Sequence, residues 1–267
     1  MLVVEDNAVN QQLVLAMLAR GGYVAEVAAD GHEALALLRA RRFDLVLMDL
    51  QMPGMDGLQA TRELRQPRSG VLDPAVPVIA LTANAFAEDR ARSFAAGMND
   101  FLTKPIDPRR LQDTLAKWLP PQPVAGAAAA VARAASVAHT AGSAEPDDLE
   151  VLDRVGLFDR AMDDAQLAAD LVAAFLHECP ALRDALHLAI ERHDVIATMN
   201  VAHTLKGAAG NVGAQRVARI AAQLERQAAA GPAARLGERL AELEQHLAEF
   251  ETAALAMCTG LAQAGAP

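Results

Sequence analysis

Residues 43–57 read FDLVLMDLQMPGMDG, an apolar run that ends at Asp49 and continues into a turn containing proline and glycine. A short apolar run bounded by turn residues predicts a buried β-strand, here over Phe43–Met48. In open α/β sheets, functional groups collect at the carboxyl ends of the strands. Asp49 therefore lies at a position where this kind of fold usually has its functional residues.

The same alternation extends to both sides of this strand. Further strands are predicted over Leu2–Val4, Tyr23–Ala28, Val76–Leu81 and Asp100–Thr103. Helical periodicity is found over Val9–Arg20, Gly31–Arg39, Leu58–Arg65, Phe86–Ala96 and Pro108–Trp118. Five strands alternating with five helices predict an α/β doubly wound domain over residues 1–118, with a five-stranded parallel sheet covered on both faces.

The composition changes at residue 119. Residues 119–148 are rich in proline and alanine and predict a linker, which as a flexible coil would span about 30 Å. The alanine tract favours partial helix, which would stiffen this linker. Beyond it, helical periodicity appears over Asp164–Glu178, Ala181–Arg192, Val195–Ala209, Ala214–Ala229 and Ala233–Met257, with breaks at Cys179-Pro180 and Gly231-Pro232. We predict an all-α antiparallel helical bundle over residues 149–258 and a tail over 259–267.

Charge and composition argue against several classes of function. The 267 residues carry a net charge of −10 and only 7 Phe, 1 Trp and 1 Tyr, so we expect no nucleic-acid binding. The two cysteines have neither the number of a disulfide framework nor the spacing of a metal site. Neither a signal peptide nor a membrane span is recognisable, and we expect a cytoplasmic chain without membrane contact of its own.

The predicted strand ends gather charged and polar side chains. Glu5 and Asp6 follow the first strand, Thr82 the fourth and Lys104 the fifth. Together with Asp49, the two acidic residues would repel one another, so the cluster favours a divalent cation, and oxygen ligands with open positions suit Mg²⁺. In a phosphoryl transfer Asp49 would be the nucleophile, with Lys104 neutralising charge and Thr82 donating a hydrogen bond.

A single acidic residue at a strand end is more often a turn residue or a helix cap. Here suitable side chains fall on four of the five predicted strand ends, which favours a functional site.

These motifs resemble those of response-regulator receiver domains. The resemblance covers residues 1–118 and is carried by LVVEDN (2–7), MDLQMPGMDG (48–57), ALTAN (80–84) and FLTKP (101–105). It implies a flavodoxin-like fold in which Asp49 accepts a phosphoryl group. The other roles that the resemblance implies are Mg²⁺ ligands for Glu5, Asp6 and the Gln51 carbonyl, a switch pair for Thr82 and Phe101, and a phosphate contact for Lys104. The chain begins almost inside its first strand, and we therefore expect it to be a fragment or to have a misplaced start.

A second motif, AHTLKGAAGNVGA, occupies residues 202–214. On a helix, Lys206 and Gly207 lie three and four residues beyond His203, so the three residues share a face. Glycine inside a helix lowers helix stability by about 1 kcal/mol relative to alanine, so the presence of Gly207 requires an explanation. It would leave room for a phosphorylated imidazole, to which Lys206 would offer a positive charge.

The remaining side of this helix is predicted to be buried, leaving His203 near its edge. The residues assigned to the buried side are Ile196, Met199, Ala202, Leu205 and Ala209. Taken alone, His203 would by default be an ordinary boundary histidine. A nucleotide-binding loop does not fit, because no strand precedes the glycines, and a metal site lacks a second ligand at suitable spacing.

The motif resembles that of histidine-containing phosphotransfer (Hpt) domains, here over residues 149–258. The resemblance implies one exposed active histidine, His203, with Lys206 and Gly207 shaping its site. Together the two domains resemble the C-terminal part of a hybrid sensor histidine kinase. An ATP-binding motif is not recognisable, so we expect Mg²⁺-dependent His–Asp phosphotransfer and not an ATP-using kinase.

We therefore predict a two-component phosphorelay protein whose partners are an upstream histidine kinase and a downstream response regulator receiver. Asp49 would accept the phosphoryl group and His203 would carry it to or from another receiver. Two alternatives stay open: a docking module in which phosphorylated Asp49 only gates docking and His203 is vestigial or serves another receiver, and a phosphate sink that hydrolyses phospho-Asp49. The direction of flow is open as well.

Overall fold

The structure is a computed structural model that describes residues 1–82, 87–119, 149–230 and 234–264. The predicted linker, apart from Leu119, the predicted helix start at Phe86 and the predicted break at Gly231-Pro232 lie outside these residues. Among the residues described, no helix is both long and apolar enough to cross a membrane.

The N-terminal part contains a five-stranded sheet. Its strands are β1 (Leu2–Val4), β2 (Glu26–Ala28), β3 (Val46–Asp49), β4 (Val78–Thr82) and β5 (Asp100–Thr103). Their order is β2-β1-β3-β4-β5, and every neighbouring pair is parallel. Strand order reverses between β1 and β3, so the topological switch point lies where these two strands end. The predicted doubly wound parallel sheet is confirmed.

Five helices cover the two faces of the sheet. They are α1 (Ala8–Arg20), α2 (Gly31–Ala40), α3 (Gly57–Leu64), α4 (Ala87–Ala96) and α5 (Pro108–Trp118). The first three and the last begin after side chains that cap a backbone N–H, namely Asn7, Asp30, Asp56 and Asp107. Side chains alternate along a strand, so Val3 packs with α1 and α5 whereas Leu2 and Val4 pack with α2 and α3.

The second strand is shorter than its sequence pattern predicts. The prediction began at Tyr23, but the Tyr23 backbone N–H donates to the Leu18 carbonyl and closes the C-terminal end of α1. Gly22 permits this ending because its φ is +78°. The β-type residues around Tyr23 therefore serve the helix end, and pairing with β1 starts only at Glu26.

The C-terminal part is helical throughout the residues described. Its helices are α6 (Arg154–Arg160), α7 (Ala165–Glu191), α8 (Val195–Asn211), α9 (Gln215–Ala230) and α10 (Ala234–Ala264). The helical fold is as predicted, although the seven-residue helix α6 was not anticipated and α10 runs past residue 258. In the core, the Phe175 and Phe250 rings meet edge to face, with centroids 5.5 Å apart.

Two details of the helical prediction are wrong. Cys179-Pro180 does not break the chain: α7 continues through Pro180, and buried Phe175 and Leu186 on either side of it join the same core. Proline removes only one backbone donor, so packing can outweigh its penalty of about 3 kcal/mol. Ile196 is 72% exposed, not buried. It lies nine residues before Leu205, which is two and a half helical turns, and therefore points to the opposite side.

Candidate functional site

Three carboxylates meet where β1 and β3 end. Glu5 and Asp6 follow β1, Asp49 is the last residue of β3, and one ligand oxygen of each lies within 4.8 Å of the others. Glu5 is 0% exposed and Asp49 2%. The strand-end prediction thus holds geometrically for these three residues. Buried acidic oxygens at this separation are a suitable set for a divalent cation.

Lys104 stands between two of these carboxylates. Its Nζ lies 2.6 Å from Glu5 Oε2 and 2.6 Å from Asp49 Oδ2, and its side chain is buried with theirs. Burial opposes the charge of Lys104, but Asp49 and Glu5 outweigh it and raise the pKa of the ammonium above its ordinary value. The cluster therefore contains a fixed positive charge next to Asp49.

Burial changes the pKa values of two acidic side chains in this cluster. Burial raises the pKa of Glu5 to about 7, with Lys104 opposing the rise and Asp49 adding to it. Burial, followed by repulsion from Asp49, also raises the pKa of Asp6. An added cation would relieve this repulsion, which is the electrostatic signature of a metal-binding cluster.

The other predicted receiver residues lie around this cluster. Thr82 ends β4, is buried and pairs in register with Thr103 of β5. Phe101 is half-buried, and the Arg90 guanidinium lies 5.1 Å from the centroid of its ring. The Gln51 backbone N–H donates to Asp49 Oδ1 over 3.2 Å.

His203 lies in the middle of α8 and is held by a residue that sequence reasoning missed. Its Nδ1 is 2.8 Å from Glu225 Oε1 of α9, and Lys206 Nζ donates to Glu225 Oε2 over 2.6 Å. Burial opposes the charge of Glu225, but the hydrogen bonds from His203 and Lys206 outweigh it and lower the pKa of this carboxyl. The sequence offers no signal for Glu225, because it is one acidic residue on a separate amphipathic helix.

The ionised Glu225 determines which nitrogen of His203 carries the proton. A carboxylate only accepts hydrogen bonds, so His203 Nδ1 must be the donor in this pair. In the neutral tautomer that this contact favours, Nδ1 carries the hydrogen and Nε2 has the lone pair. Lys206 Nζ, 3.4 Å from the same Nδ1, contributes charge and not a hydrogen bond to the ring. The arrangement leaves Nε2 as the nucleophilic atom.

The expectation that His203 is exposed is wrong: it is 6% exposed. The physical reason is that α8 packs against α7, α9 and α1, and the Glu225 carboxylate lies beside the ring. Thr204 Oγ1, next to His203, donates to Asp6 Oδ2 over 3.3 Å. A Cβ on Gly207 would lie 3.4 Å from Asn10 Nδ2, so the space that this glycine leaves faces the receiver side.

Comparison with known proteins finds two family models that match separate parts of the chain. The family model "Response regulator receiver domain" matches residues 1–116, and the family model "Hpt domain" matches residues 170–253. Sensor histidine kinase GacS of Pseudomonas protegens is 35% identical over 210 residues, which are 78% of this chain and 22% of that protein. Sensor histidine kinase AruS of Pseudomonas aeruginosa is 33% identical over 251 residues, 93% of this chain and 23% of that protein.

Among solved structures, the receiver domain of sensor histidine kinase PA1611 from Pseudomonas aeruginosa is 46% identical. The match covers 44% of this chain and 93% of that one, with a TM-score of 0.40, and that structure has a magnesium ion coordinated in its active site cleft. The present chain spans about a quarter of the length of the sensor kinases that it matches.

The two family models fall on the two parts that the fold separates, the parallel sheet and the helical bundle. The predicted acceptor Asp49 lies in the first of them and the predicted carrier His203 in the second. This chain accordingly contains a response regulator receiver domain, matched over residues 1–116, followed by an Hpt domain, matched over residues 170–253.

Proposed function

We propose that Asp49 accepts a phosphoryl group from a phosphohistidine and that His203 exchanges this group with a phosphoaspartate. The observation that supports the proposal is a contact between the two sites. Thr204, the residue after His203 on α8, donates a hydrogen bond to Asp6 of the acidic cluster. The proposed acceptor Asp49 and the helix turn of the proposed carrier His203 therefore lie at the same rim of the sheet.

On the receiver side, an Asp49 carboxylate oxygen forms a bond to phosphorus as the phosphorus–nitrogen bond of the donor histidine breaks. The departing imidazole nitrogen keeps the bonding electron pair. Lys104, held beside Asp49, neutralises phosphoryl oxygens, and the Thr82 hydroxyl would donate a hydrogen bond to one of them in the transfer. Glu5, Asp6 and Asp49 would hold Mg²⁺, with the Gln51 carbonyl as a further proposed ligand. When bound, Mg²⁺ neutralises negative charge on the phosphoryl group.

On the Hpt side, His203 Nε2 attacks the phosphorus of a phosphoaspartate, and the aspartate oxygen leaves with the bonding electrons. The ring becomes positively charged as the nitrogen–phosphorus bond forms. Glu225 accepts a hydrogen bond from Nδ1–H, which keeps its proton, and the carboxylate stabilises the positive charge of the ring; Glu225 is thus a positioning residue for the carrier. Lys206, paired with Glu225, provides positive charge near the incoming phosphoryl group.

Removing the carboxylate of Glu225 should slow phosphorylation of His203. We expect Glu225→Gln to reduce the transfer rate about 10-fold and Glu225→Ala about 100-fold, by analogy with the hydrogen-bond partners of metal-binding histidines, whose loss has effects of this size. Nitrogen-15 NMR of the histidine ring should also show loss of the Nδ1–H tautomer in Glu225→Ala.

The matched control is Glu244→Gln, since Glu244 makes a similar 2.8 Å contact to His187 at an exposed position. This control should transfer at the wild-type rate. Normal transfer by Glu225→Ala with an unchanged tautomer would remove Glu225 from the mechanism.

Metal removal should stop phosphoryl transfer on the receiver side. Without a cation the clustered carboxylates repel the incoming phosphoryl oxygens, so we expect EDTA to reduce acetyl phosphate labelling at least about 100-fold and added Mg²⁺ to restore it. The double variant Glu5→Ala, Asp6→Ala should stay unlabelled at all Mg²⁺ concentrations, whereas Asp44→Ala, at an exposed acid, should respond as wild type. Wild-type transfer rates for the double variant in EDTA would contradict the metal assignment.

The partners that this chemistry calls for are an upstream histidine kinase that supplies phosphohistidine and a downstream response regulator receiver, met in the cytoplasm. The two alternatives differ in what becomes of the label. In a docking module, label would stay on Asp49 and never reach His203. In a phosphate sink, it would leave Asp49 as inorganic phosphate faster than any histidine acquires it.

A further inference from the structure

The Hpt domain lies against one helix of the receiver, α1, which contacts both α7 and α8. The contact is polar as well as apolar. Asn7 Nδ2 donates to Glu178 Oε2 over 2.8 Å, and Arg20 Nη1 donates to the Met162 carbonyl over 2.7 Å. Polar groups placed opposite one another along a helix fix the register of an interface.

At the centre of this interface lies a pair of asparagines. Asn211 Nδ2 of α8 donates to Asn10 Oδ1 of α1 over 2.6 Å, and both side chains are 4% exposed. The Asn10 amide donates in turn to Glu5 Oε1 over 2.6 Å. Asn10 therefore connects the Hpt domain directly to a carboxylate of the acidic cluster.

Glu178 of α7 supplies a second specific contact, at the N-terminus of α1. Its carboxylate accepts hydrogen bonds from the Asn7 side chain and from the Ala8 backbone N–H. Unpaired N–H groups and the helix dipole make this end of α1 favourable for a negative charge. An Hpt carboxylate thus completes the cap of a receiver helix.

The asparagine pair also limits the strength of the contact. Asn211 Oδ1 is buried without a hydrogen-bond partner among the residues that the structure describes. A buried acceptor without a partner loses its hydration on docking, so separation of the domains restores a hydrogen bond to water. The interface therefore combines specific contacts with one unsatisfied hydrogen-bond acceptor, which favours separation of the domains.

The docked Hpt domain occupies the rim through which a protein donor would have to approach. The Thr204 hydroxyl is hydrogen-bonded to the Asp6 carboxylate, and Gly207 lies next to the Asn10 side chain. A phosphohistidine on another protein has to reach Asp49 across this rim, whereas a small donor such as acetyl phosphate needs no docking surface.

We propose that this chain's own Hpt domain is the docking partner of α1 and that the docked state closes the receiver to phosphohistidine donors on other molecules, with Asn211 and Glu178 as the determinants. This inference rests on the proposed function of Asp49 as phosphoryl acceptor. It makes opening of the interface a necessary step before an external donor can be used.

The test uses full chains and the variant Asn211→Asp, which places a carboxylate next to the Asn10 carbonyl and near Glu5. The matched control is Asn200→Asp, the same change at an exposed position of the same helix. The donor is a tagged Asp49→Asn chain phosphorylated on histidine with phosphoramidate, and the readout is the initial rate at which label passes to untagged chains. Acetyl phosphate labelling and amide NMR of α1 are recorded for each chain.

We expect Asn211→Asp to accept label about tenfold faster than wild type, the factor that accompanies loss of one buried hydrogen bond. Its α1 amide resonances should shift, while Asn200→Asp matches wild type in both measurements. Glu178→Ala should behave like Asn211→Asp, whereas its control Glu191→Ala, at an exposed position, should match wild type. Agreement between two independent variants excludes a folding defect in one of them as the cause.

Unchanged α1 resonances in Asn211→Asp and Glu178→Ala, or unchanged acceptance rates with shifted resonances, would overturn the inference. Absence of acetyl phosphate labelling in every chain would instead defeat the proposed function of Asp49. The resonance shifts would still report whether the domains dock.

Discussion

Acetyl phosphate and Mg²⁺ should label the receiver of the wild-type chain, and Asp49→Asn should reduce that label at least about 1000-fold, to background. Loss of an enzyme's nucleophile has effects of this order or larger. Asparagine keeps the shape of the side chain at the end of β3, but its amide lacks the anionic oxygen that forms the bond to phosphorus. The measurement is incorporation of acid-stable, hydroxylamine-labile label.

The control for this experiment is Asp44→Asn, the same chemical change at an exposed carboxylate just before the N-terminal end of β3, opposite the end that holds Asp49. It should be labelled as wild type. Stoichiometric label on Asp49→Asn would show that another carboxylate, such as Glu5 or Asp6, accepts the group and that the assignment of the acceptor is wrong.

His203→Gln should abolish acid-labile, base-stable label in the Hpt domain, again at least about 1000-fold, while leaving the receiver label in place. Glutamine is polar and of similar length, so it can keep a hydrogen bond to Glu225, but it has no nucleophilic nitrogen. Because the phosphoryl group then has no carrier to move to, label on Asp49 should persist longer than in the wild-type chain.

His177→Gln provides the comparison, since His177 is an exposed histidine on α7. We expect its Hpt domain to be labelled normally. Equal loss in both variants would point to a general effect of histidine removal, and retained acid-labile label in His203→Gln would assign the carrier role to another histidine.

The sequence was informative about the receiver site because the geometry of a parallel sheet is simple. Carboxyl ends of parallel strands share one edge, so Glu5, Asp49 and Lys104 could be brought together from strand positions alone. The structure places Lys104 between the other two, 2.6 Å from each. Local hydrophobic patterns were sufficient for this step.

The Hpt site was only partly predictable, because its partners come from other elements. Glu225 reaches His203 from α9, and Asn10 reaches Gly207 from the receiver. Neither position has a local pattern that indicates these contacts. The exposure of His203 was mispredicted for the same reason, since docking between domains cannot be read from the periodicity of one helix.

Helix periodicity itself failed where small errors accumulate. Steps of three residues from Ile196 drift backwards by about 60° each on a helix of 3.6 residues per turn. After three such steps, at Leu205, the position lies on the side of the helix opposite Ile196. On the side of Leu205, the buried residue in the first turn is Thr198 and not Ile196. Proline at position 180 was overrated for a different reason, because packing on both sides of it holds α7 together.

Movement of one phosphoryl group between Asp49 and His203 can be followed by phosphorus-31 NMR of the wild-type chain after a pulse of acetyl phosphate with Mg²⁺. We expect an acyl phosphate signal first, followed by a phosphohistidine signal that grows at its expense, and neither signal in Asp49→Asn. A phosphohistidine signal in Asp49→Asn, or an acyl phosphate in the wild-type chain that decays only to inorganic phosphate, would contradict this movement.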